Sequence, residues 1–179
     1  MIASPVAGGI LVSPASATTV LALNIEELTA LSDRVIVGEV LSVTSDWESG
    51  RRRIISRIEV SVAESWKGAM PSARRVFITQ LGGQVGDIEM RVHGLAQFRS
   101  GDRTVLFLQG PESAAQVTGF GLGVRRLLYD AGTARWMVLG ADRTAAVVRR
   151  ADGALAAAPP ESADSLTALR DRVRALVQR

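Results

Sequence analysis

The feature that most constrains the fold is a long run of β-strand alternation from Ile54 to Trp66. Apolar side chains lie on one face of this run, and polar ones such as Arg57 and Glu59 lie on the other, which predicts a half-buried strand. At about 3.3 Å per residue the run extends about 40 Å, so we expect it to bend and to serve two surfaces of a sheet. Its apolar face consists of Ile54, Ile58, Val60 and Val62.

Shorter apolar runs, separated by turn residues, predict further strands along the chain. Gly38 marks a bend or bulge in the first of them. The segment 84–98 has no clean periodicity, and we expect a long, partly ordered loop there. Hairpin turns are predicted at 130–133 and 140–142. The further strands are predicted at 34–44, 76–81, 103–109, 124–129, 135–139 and 144–149.

Two amphipathic helices flank these strands. Asn24 is a candidate N-cap for a short helix over 25–31, and Ser162 for a longer helix over 163–177. The second helix carries one apolar stripe, which we expect to pack across the sheet; docking on a membrane surface or on a partner helix is the alternative. The stripe consists of Leu166, Leu169, Val173, Leu176 and Val177.

The order of these elements predicts a mainly β fold. We expect a small OB-like barrel of five or more strands, with a short N-terminal helix and a C-terminal amphipathic helix. The length of 179 residues fits one domain with appendages. The predicted organisation is a signal peptide over 1–17, a barrel over 18–153, an alanine- and proline-rich linker over 154–161 and a helix over 162–179.

Composition narrows the chemistry available to the chain. It contains no cysteine, which excludes a disulfide scaffold, a thiolate nucleophile and a zinc-thiolate site. His93 is the only histidine, so a multi-histidine metal site is excluded and any serine triad would have to use it. The sequence therefore indicates no catalytic residue, no cofactor and no metal site.

The charge balance is only weakly basic. The chain has 21 basic and 18 acidic residues, a formal net charge of +3, and its only lysine is Lys67. The arginines occur as short, separated runs, which are typical of solvated strand ends and turns. A field this weak predicts that nucleic-acid binding is weak and nonspecific.

The N-terminal segment resembles a secretory signal. Residues 1–25 carry no charge, and Ala15-Ser16-Ala17 fits a signal-peptidase site with cleavage after Ala17, although a basic residue near the start is missing. Either Met1 is an internal start and the true N-terminus is longer, or the segment is a loose hydrophobic tail. Because the apolar run is short and broken by Gly and Pro, we expect no transmembrane segment. The prediction is export, to the periplasm or the extracellular space.

The candidate interaction residues are an aromatic side chain, a basic run and the single histidine. Trp47 lies in a polar turn, where an exposed aromatic ring often marks a contact. Asp87, Glu89 and Arg91 lie near His93, but one imidazole with loop carboxylates is a poor transition-metal site. The glycine-rich stretches 82–86 and 119–123 fit bulges or close backbone packing better than phosphate loops. The candidate surface consists of Trp47, Arg51, Arg52, Arg53 and His93.

Four stretches carry a resemblance to known families: L-S-D-R-V-I-V-G-E-V (31–40), R-I-E-V-S-V-A-E-S-W-K-G (57–68), V-F-I-T-Q-L-G-G-Q-V-G (76–86) and F-R-S-G-D-R-T-V-L-F-L (98–108). Over about residues 20 to 150 the chain resembles uncharacterised exported bacterial domains and the OB-type barrel of netrin-like modules and tissue inhibitors of metalloproteinases. That resemblance implies the barrel. It does not carry over the inhibitor mechanism, which needs an N-terminal cysteine, so no site residue is transferred.

The functional prediction is an exported, non-enzymatic binding or protein-interaction module, whose partner is another envelope or extracellular protein. A single-stranded nucleic-acid-binding OB domain is one alternative, and basic and aromatic residues on one barrel face would favour it. An unrecognised hydrolase is the other, and carboxylates converging on His93 in a pocket would favour it.

Overall fold

The computed structural model describes residues 20–141, 146–149, 154–157 and 164–178. The predicted signal peptide over 1–17, its cleavage site, and the predicted N-cap Ser162 lie outside these residues. The helices are α1 (Ile25–Leu31) and α2 (Leu166–Val177), and a short 3₁₀ helix spans Phe120–Gly123. The strands are β1 (Val20–Leu21), β2 (Arg34–Trp47), β3 (Ile54–Lys67), β4 (Arg75–Leu81), β5 (Gly83–Val85), β6 (Ile88–Met90), β7 (Arg103–Gln109), β8 (Gln116–Val117), β9 (Val124–Asp130), β10 (Arg135–Leu139), β11 (Ala146–Arg149), β12 (Leu155–Ala157) and β13 (Asp164–Ser165).

The centre of the molecule is one large antiparallel sheet, which confirms the mainly β prediction. Its strand order is β13-β10-β9-β7-β2-β3-β4, and β8 pairs with the same edge of β7 as β9. The longest pairing joins β2 and β3 and is interrupted by three register shifts, one of them beside Gly38. Such bulges bend and coil a strand pair, and they support the predicted bend of the long strand, which stays a prediction.

No closed barrel is formed by the described strands. The outer edge of β4 meets the segment 112–115, whose Ala115 amide donates to the Phe77 carbonyl at 2.8 Å. In return, the Phe77 and Thr79 amides donate to the carbonyls of Glu112 (2.8 Å) and Ala115 (2.9 Å). The contact ends there, because Leu81 is the last residue of β4 and Gly82-Gly83 turns the chain away. A seam therefore remains between β4 and β8.

The sheet buries an apolar cluster on each of its two surfaces. The helix-covered face lies under α1 and α2, and the loop-covered face lies inside the curl of the sheet, under the segments 91–99 and 112–117. The helix-covered face buries Ile25, Leu28, Val35, Val37, Trp66, Val105, Phe107, Val138, Leu169 and Val173. The loop-covered face buries Ile36, Val40, Ile58, Val60, Val62, Val76, Ile78, Leu106, Leu108, Ala115 and Val124.

The first helix begins and ends where the sequence predicts. Asn24 and Glu27 form a capping box, in which each side chain accepts the other residue's amide at 2.8 Å. At the other end, Lys67 Nζ donates to the Thr29 carbonyl at 2.7 Å and to the Ala30 carbonyl at 3.5 Å. The only lysine of the chain thus satisfies carbonyls that the last turn of a helix leaves open.

The second helix packs on the sheet as predicted but starts later. Leu169 and Val173 are buried, and Arg172 bonds Glu26 of α1 at 2.7 Å. The N-cap is Ser165, whose Oγ accepts the Ala168 amide at 3.1 Å, rather than Ser162. The reason is that β13 pairs with β10, which holds Asp164 and Ser165 in an extended conformation.

The predicted linker and the predicted loop both contain strands. Within 154–161, β12 pairs with β11, which pairs in parallel with β1. Within 84–98, β5 and β6 form a hairpin around Gly86-Asp87. None of the helices that the structure describes is long and apolar enough to cross a membrane.

Candidate ligand-binding cleft

Of the predicted interaction residues, Trp47 and the basic run 51–53 lie at one end of the β2–β3 pair, and His93 lies in a different segment. Trp47 is the last residue of β2 and is half-buried, opposite Ile54, rather than exposed in the turn. Residues 51–53 are exposed in that turn, where Arg53 pairs with Glu48 at 2.8 Å. His93 is exposed in the segment after β6. Whether these side chains contact a partner stays a prediction.

A hairpin folds over the loop-covered face at this end of the sheet. The chain leaves β4 through Gly82 and Gly83, whose φ angles are +94° and +130°. Few side chains tolerate this backbone, and a Cβ on Gly83 would lie 2.3 Å from the hydroxyl oxygens of both Ser45 and Ser56. Glycine therefore lets the β5–β6 hairpin approach the two strands below it, which confirms the prediction of close backbone packing there.

The two serines form the polar floor under this hairpin. Ser45 Oγ and Ser56 Oγ lie 2.9 Å apart, and Ser56 Oγ donates to the Gly82 carbonyl at 2.6 Å. Ser56 is buried and interrupts an otherwise apolar strand face between Ile54 and Ile58. That interruption, together with the glycine pair after β4, is the sequence signal that could have located this floor.

The segment after the hairpin closes the other side. Gln80 Nε2 donates to the Ala96 carbonyl at 3.1 Å, and the Gly121 amide donates to the Gly94 carbonyl at 2.7 Å. These bonds hold the chain over the sheet without filling the space beneath it. Because Gly121 needs this close approach to Gly94, the prediction of tight packing in the second glycine-rich stretch is also confirmed.

Between floor and hairpin lies a cleft of about 310 Å³. Its polar lining is mostly serine hydroxyls and glutamine amides, which donate and accept hydrogen bonds without carrying charge. Trp47 stands two residues beyond Ser45 on the same strand face. The lining consists of Val43, Ser45, Ser56, Gln80, Leu81, Gly82, Gly83, Gln84, Glu89, Met90, Arg91, Val92, Leu95, Gln97 and Phe98.

The two charged residues of the cleft neutralise each other. Arg91 Nε donates to Glu89 Oε1 at 2.7 Å, and this hydrogen bond raises the pKa of Arg91 above its ordinary value. The lining therefore carries no net charge and favours uncharged polar ligands, such as peptide groups or sugar hydroxyls, over phosphates.

Among the described residues, neither serine of the cleft is hydrogen-bonded to a carboxylate or an imidazole. Nucleophilic catalysis by serine needs a general base within hydrogen-bond reach. His93 is not among the lining residues, and Ser56 already donates to a carbonyl. In the described part of the chain, no three His, Asp or Glu side chains converge as a metal site would require.

A comparison with models of known protein families finds none that matches this chain, and a comparison with curated proteins finds no match either.

Proposed function

We propose that the chain is an exported, non-enzymatic binding module that takes a polypeptide partner in the cleft under the β5–β6 hairpin. The observation that carries the proposal is the lining: serine hydroxyls and glutamine amides, with one mutually neutralising ion pair, beside a half-buried tryptophan. The backbone of a peptide carries closely spaced amide donors and carbonyl acceptors, and hydroxyl and amide side chains of this lining can pair with both.

The fold that we propose for this module is an OB-like half-closed barrel, similar to netrin-like domains. Support comes from the chain of contacts β7–β2–β3–β4, continued through the segment 112–115 into β8, which returns to β7. In barrels of this type, ligands bind on the surface of the second and third strands and in neighbouring loops. The turn 48–53 and the hairpin β5–β6 occupy comparable places next to β3 and β4.

Export remains part of the proposal, on the strength of the uncharged N-terminal segment that ends in Ala15-Ser16-Ala17. Intact-mass measurement of native material should give a chain that starts at Thr18. An uncut chain in the cytosol would contradict export and leave the cleft proposal untouched.

Site-specific crosslinking tests the cleft itself. A photoreactive amino acid replaces Gln84, an exposed lining residue, in the full chain expressed in its native envelope. The matched control replaces Leu31, which is 52% exposed on α1. We expect a discrete adduct with one polypeptide from position 84 and none from position 31. No adduct at 84, or the same adducts at both positions, would overturn the proposal.

The nucleic-acid alternative has one observation in its favour, an arginine and an aromatic ring on the outer surface of β3 and β4. However, Arg57 lies over the Phe77 ring at 4.1 Å, so a base could stack there only by displacing it. Arg75 on the same surface is paired with Glu59. Gel shifts with single-stranded oligonucleotides at about 150 mM salt should show weak binding; sub-micromolar affinity would favour the alternative.

A further inference from the structure

The free edge of β4 presents backbone groups that its neighbours do not use. Only every second residue along β4 forms backbone hydrogen bonds with β3. At its two ends, the Gly82 amide donates to the Ile54 carbonyl and the Arg74 carbonyl accepts from the Val62 amide, both at 2.8 Å. The intervening residues point away from β3, as the bonds of Phe77 and Thr79 to 112–115 show. Leu81 continues this series, so its amide and the Thr79 carbonyl face the seam.

The opposite side of the seam is the outer edge of β8. The Thr118 amide donates to the Phe107 carbonyl at 2.9 Å, and the register pairs Leu108 with Val117. Val117 therefore occupies a position whose amide and carbonyl both point away from β7 and toward β4. Two strand edges face each other across the seam.

The two edges diverge before these groups can meet. The chain forms a parallel contact at Ile78 and Ala115. If that parallel pairing continued along both strands, the Val117 amide would donate to the Thr79 carbonyl. The Leu81 amide would then donate to the Val117 carbonyl. Among the described residues β4 and β8 are not paired, and the parallel contact is confined to Ile78 and Ala115. A cavity of about 420 Å³ is lined by residues of both edges.

The cavity is lined for an apolar, uncharged occupant. The residues that line it include no charged side chain. Phe120 lies at its rim, where it is 47% exposed and has a φ of +59°. The cavity is a separate opening from the cleft, although the two share the wall formed by Gln80, Leu81, Val92 and Leu95. The lining consists of Ile55, Thr79, Gln80, Leu81, Val92, Leu95, Gln109, Gln116, Val117, Gly119 and Phe120.

We propose that the seam takes an extended peptide segment of a partner polypeptide, inserted as a strand between β4 and β8. Donor and acceptor groups on both edges match the two edges of one extended backbone, and alternate apolar side chains of the segment would enter the cavity. This proposal depends on the proposed function in one respect only, namely that the partner is a polypeptide. A second copy of the chain fits the seam less well than a peptide does. Each edge offers only two or three residues, and these lie recessed beside Phe120.

The test uses random heptapeptides displayed on phage and selected on the full chain, followed by synthesis of the selected peptide. We expect this peptide to slow hydrogen exchange at the Leu81 and Val117 amides. Leu81→Pro removes the amide that faces the seam and none that bonds β3, so the fold should persist, as edge prolines allow. Affinity should fall about tenfold in this variant. Leu81→Val keeps the amide and changes only the side chain that lines the cavity, so it should lose clearly less affinity. An equal loss in both variants would assign the effect to the side chain and overturn the backbone bond.

A peptide analogue separates loss of folding from loss of binding. If Leu81→Pro melts early, peptides with single backbone esters, scanned along the sequence, remove the same bonds without changing the protein; at least one ester should weaken binding. Equal affinity for every ester overturns strand insertion. A peptide that binds without protecting Leu81 and Val117 overturns the seam while the cleft proposal stands. Failure to select any peptide, or a dimer abolished by Leu81→Pro, also overturns it.

Discussion

The two faces of the central sheet are covered in different ways. On the helix-covered face, α1 and α2 lie side by side, tied by Glu26 and Arg172, and bury a continuous apolar cluster. An opening of about 300 Å³ at this face is bordered by Arg103, whose guanidinium lies 5.0 Å from the centre of the Trp136 ring. On the loop-covered face, irregular segments and a short hairpin leave the cleft and the seam. The helices bury the apolar side chains directly beneath them, whereas loops held by single hydrogen bonds leave room for ligands between themselves and the sheet.

The helix-covered face should be the one on which stability depends most. Leu169→Asp would place a charge at a site that is 3% exposed, which we expect to cost about 3–5 kcal/mol and to lower the melting temperature by roughly 10 °C or more. Thermal unfolding followed by circular dichroism measures this. Leu128→Asp, at a site 58% exposed, is the control and should melt within about 2 °C of the parent. Unchanged melting of Leu169→Asp, with partner binding lost, would make α2 an interaction element instead of a structural cover.

The loop-covered face should be sensitive where the hairpin touches the strands. Gly83→Ala forces a Cβ against both serine hydroxyls and a φ of +130° on alanine, so we expect a cost of about 3 kcal/mol. Gly86→Ala is the control: its φ is +60° but nothing lies within 4 Å of the new Cβ, so the cost is about 1 kcal/mol of backbone strain. Urea unfolding measures both. If both variants lost the same free energy of unfolding, the hairpin would not be packed against the serine pair.

The smallest expected effect concerns the tie between the helices. The hydrogen bond from Arg172 lowers the pKa of Glu26 below its ordinary value of 4.5. The bond therefore stabilises the fold in full above pH 4.5 and is lost as the pH falls through the lower folded value. Since both side chains are about half exposed, Glu26→Gln should cost no more than about 1 kcal/mol at pH 7.

Melting of the parent and of Glu26→Gln at pH 7 and at pH 3 should show a difference that shrinks in acid. Arg172→Gln and the double variant complete a mutant cycle for the pair. A difference of the same size at both pH values would show that the ion pair does not carry it.

The local elements could be predicted from the sequence, but their pairing could not. The Asn24 cap and the strand alternation around Ile58 depend only on residues that are close in sequence, and both predictions agree with the structure. The start of α2 at Leu166 depends on β13 pairing with β10, about 27 residues away in sequence, which no local pattern encodes. Whether β4 meets β8 is likewise a long-range property, and so the sequence predicted a barrel where the described strands leave a seam.

The cleft was missed for a related reason. A serine on a strand is normally assigned to solvent, and Ser45 gives no sign of facing inward. The β5 and β6 strands have three residues each, too few for an alternation to be recognised. By contrast, the aromatic and charged residues that attract notice, Trp47 and Arg51 to Arg53, lie beside the cleft and not in it.

Lys67 gives the chain a single reactive side-chain amine, and its position makes that amine informative. The amine nitrogen must be free to attack an acylating reagent, whereas Lys67 Nζ is engaged with carbonyls at the end of α1. Modification of this lysine should therefore require α1 to move away, and an acylated Lys67, which keeps a single N–H, could no longer donate to both carbonyls. The labelling rate of one residue, read by mass spectrometry, would then report how often the first helix undocks from an otherwise folded sheet.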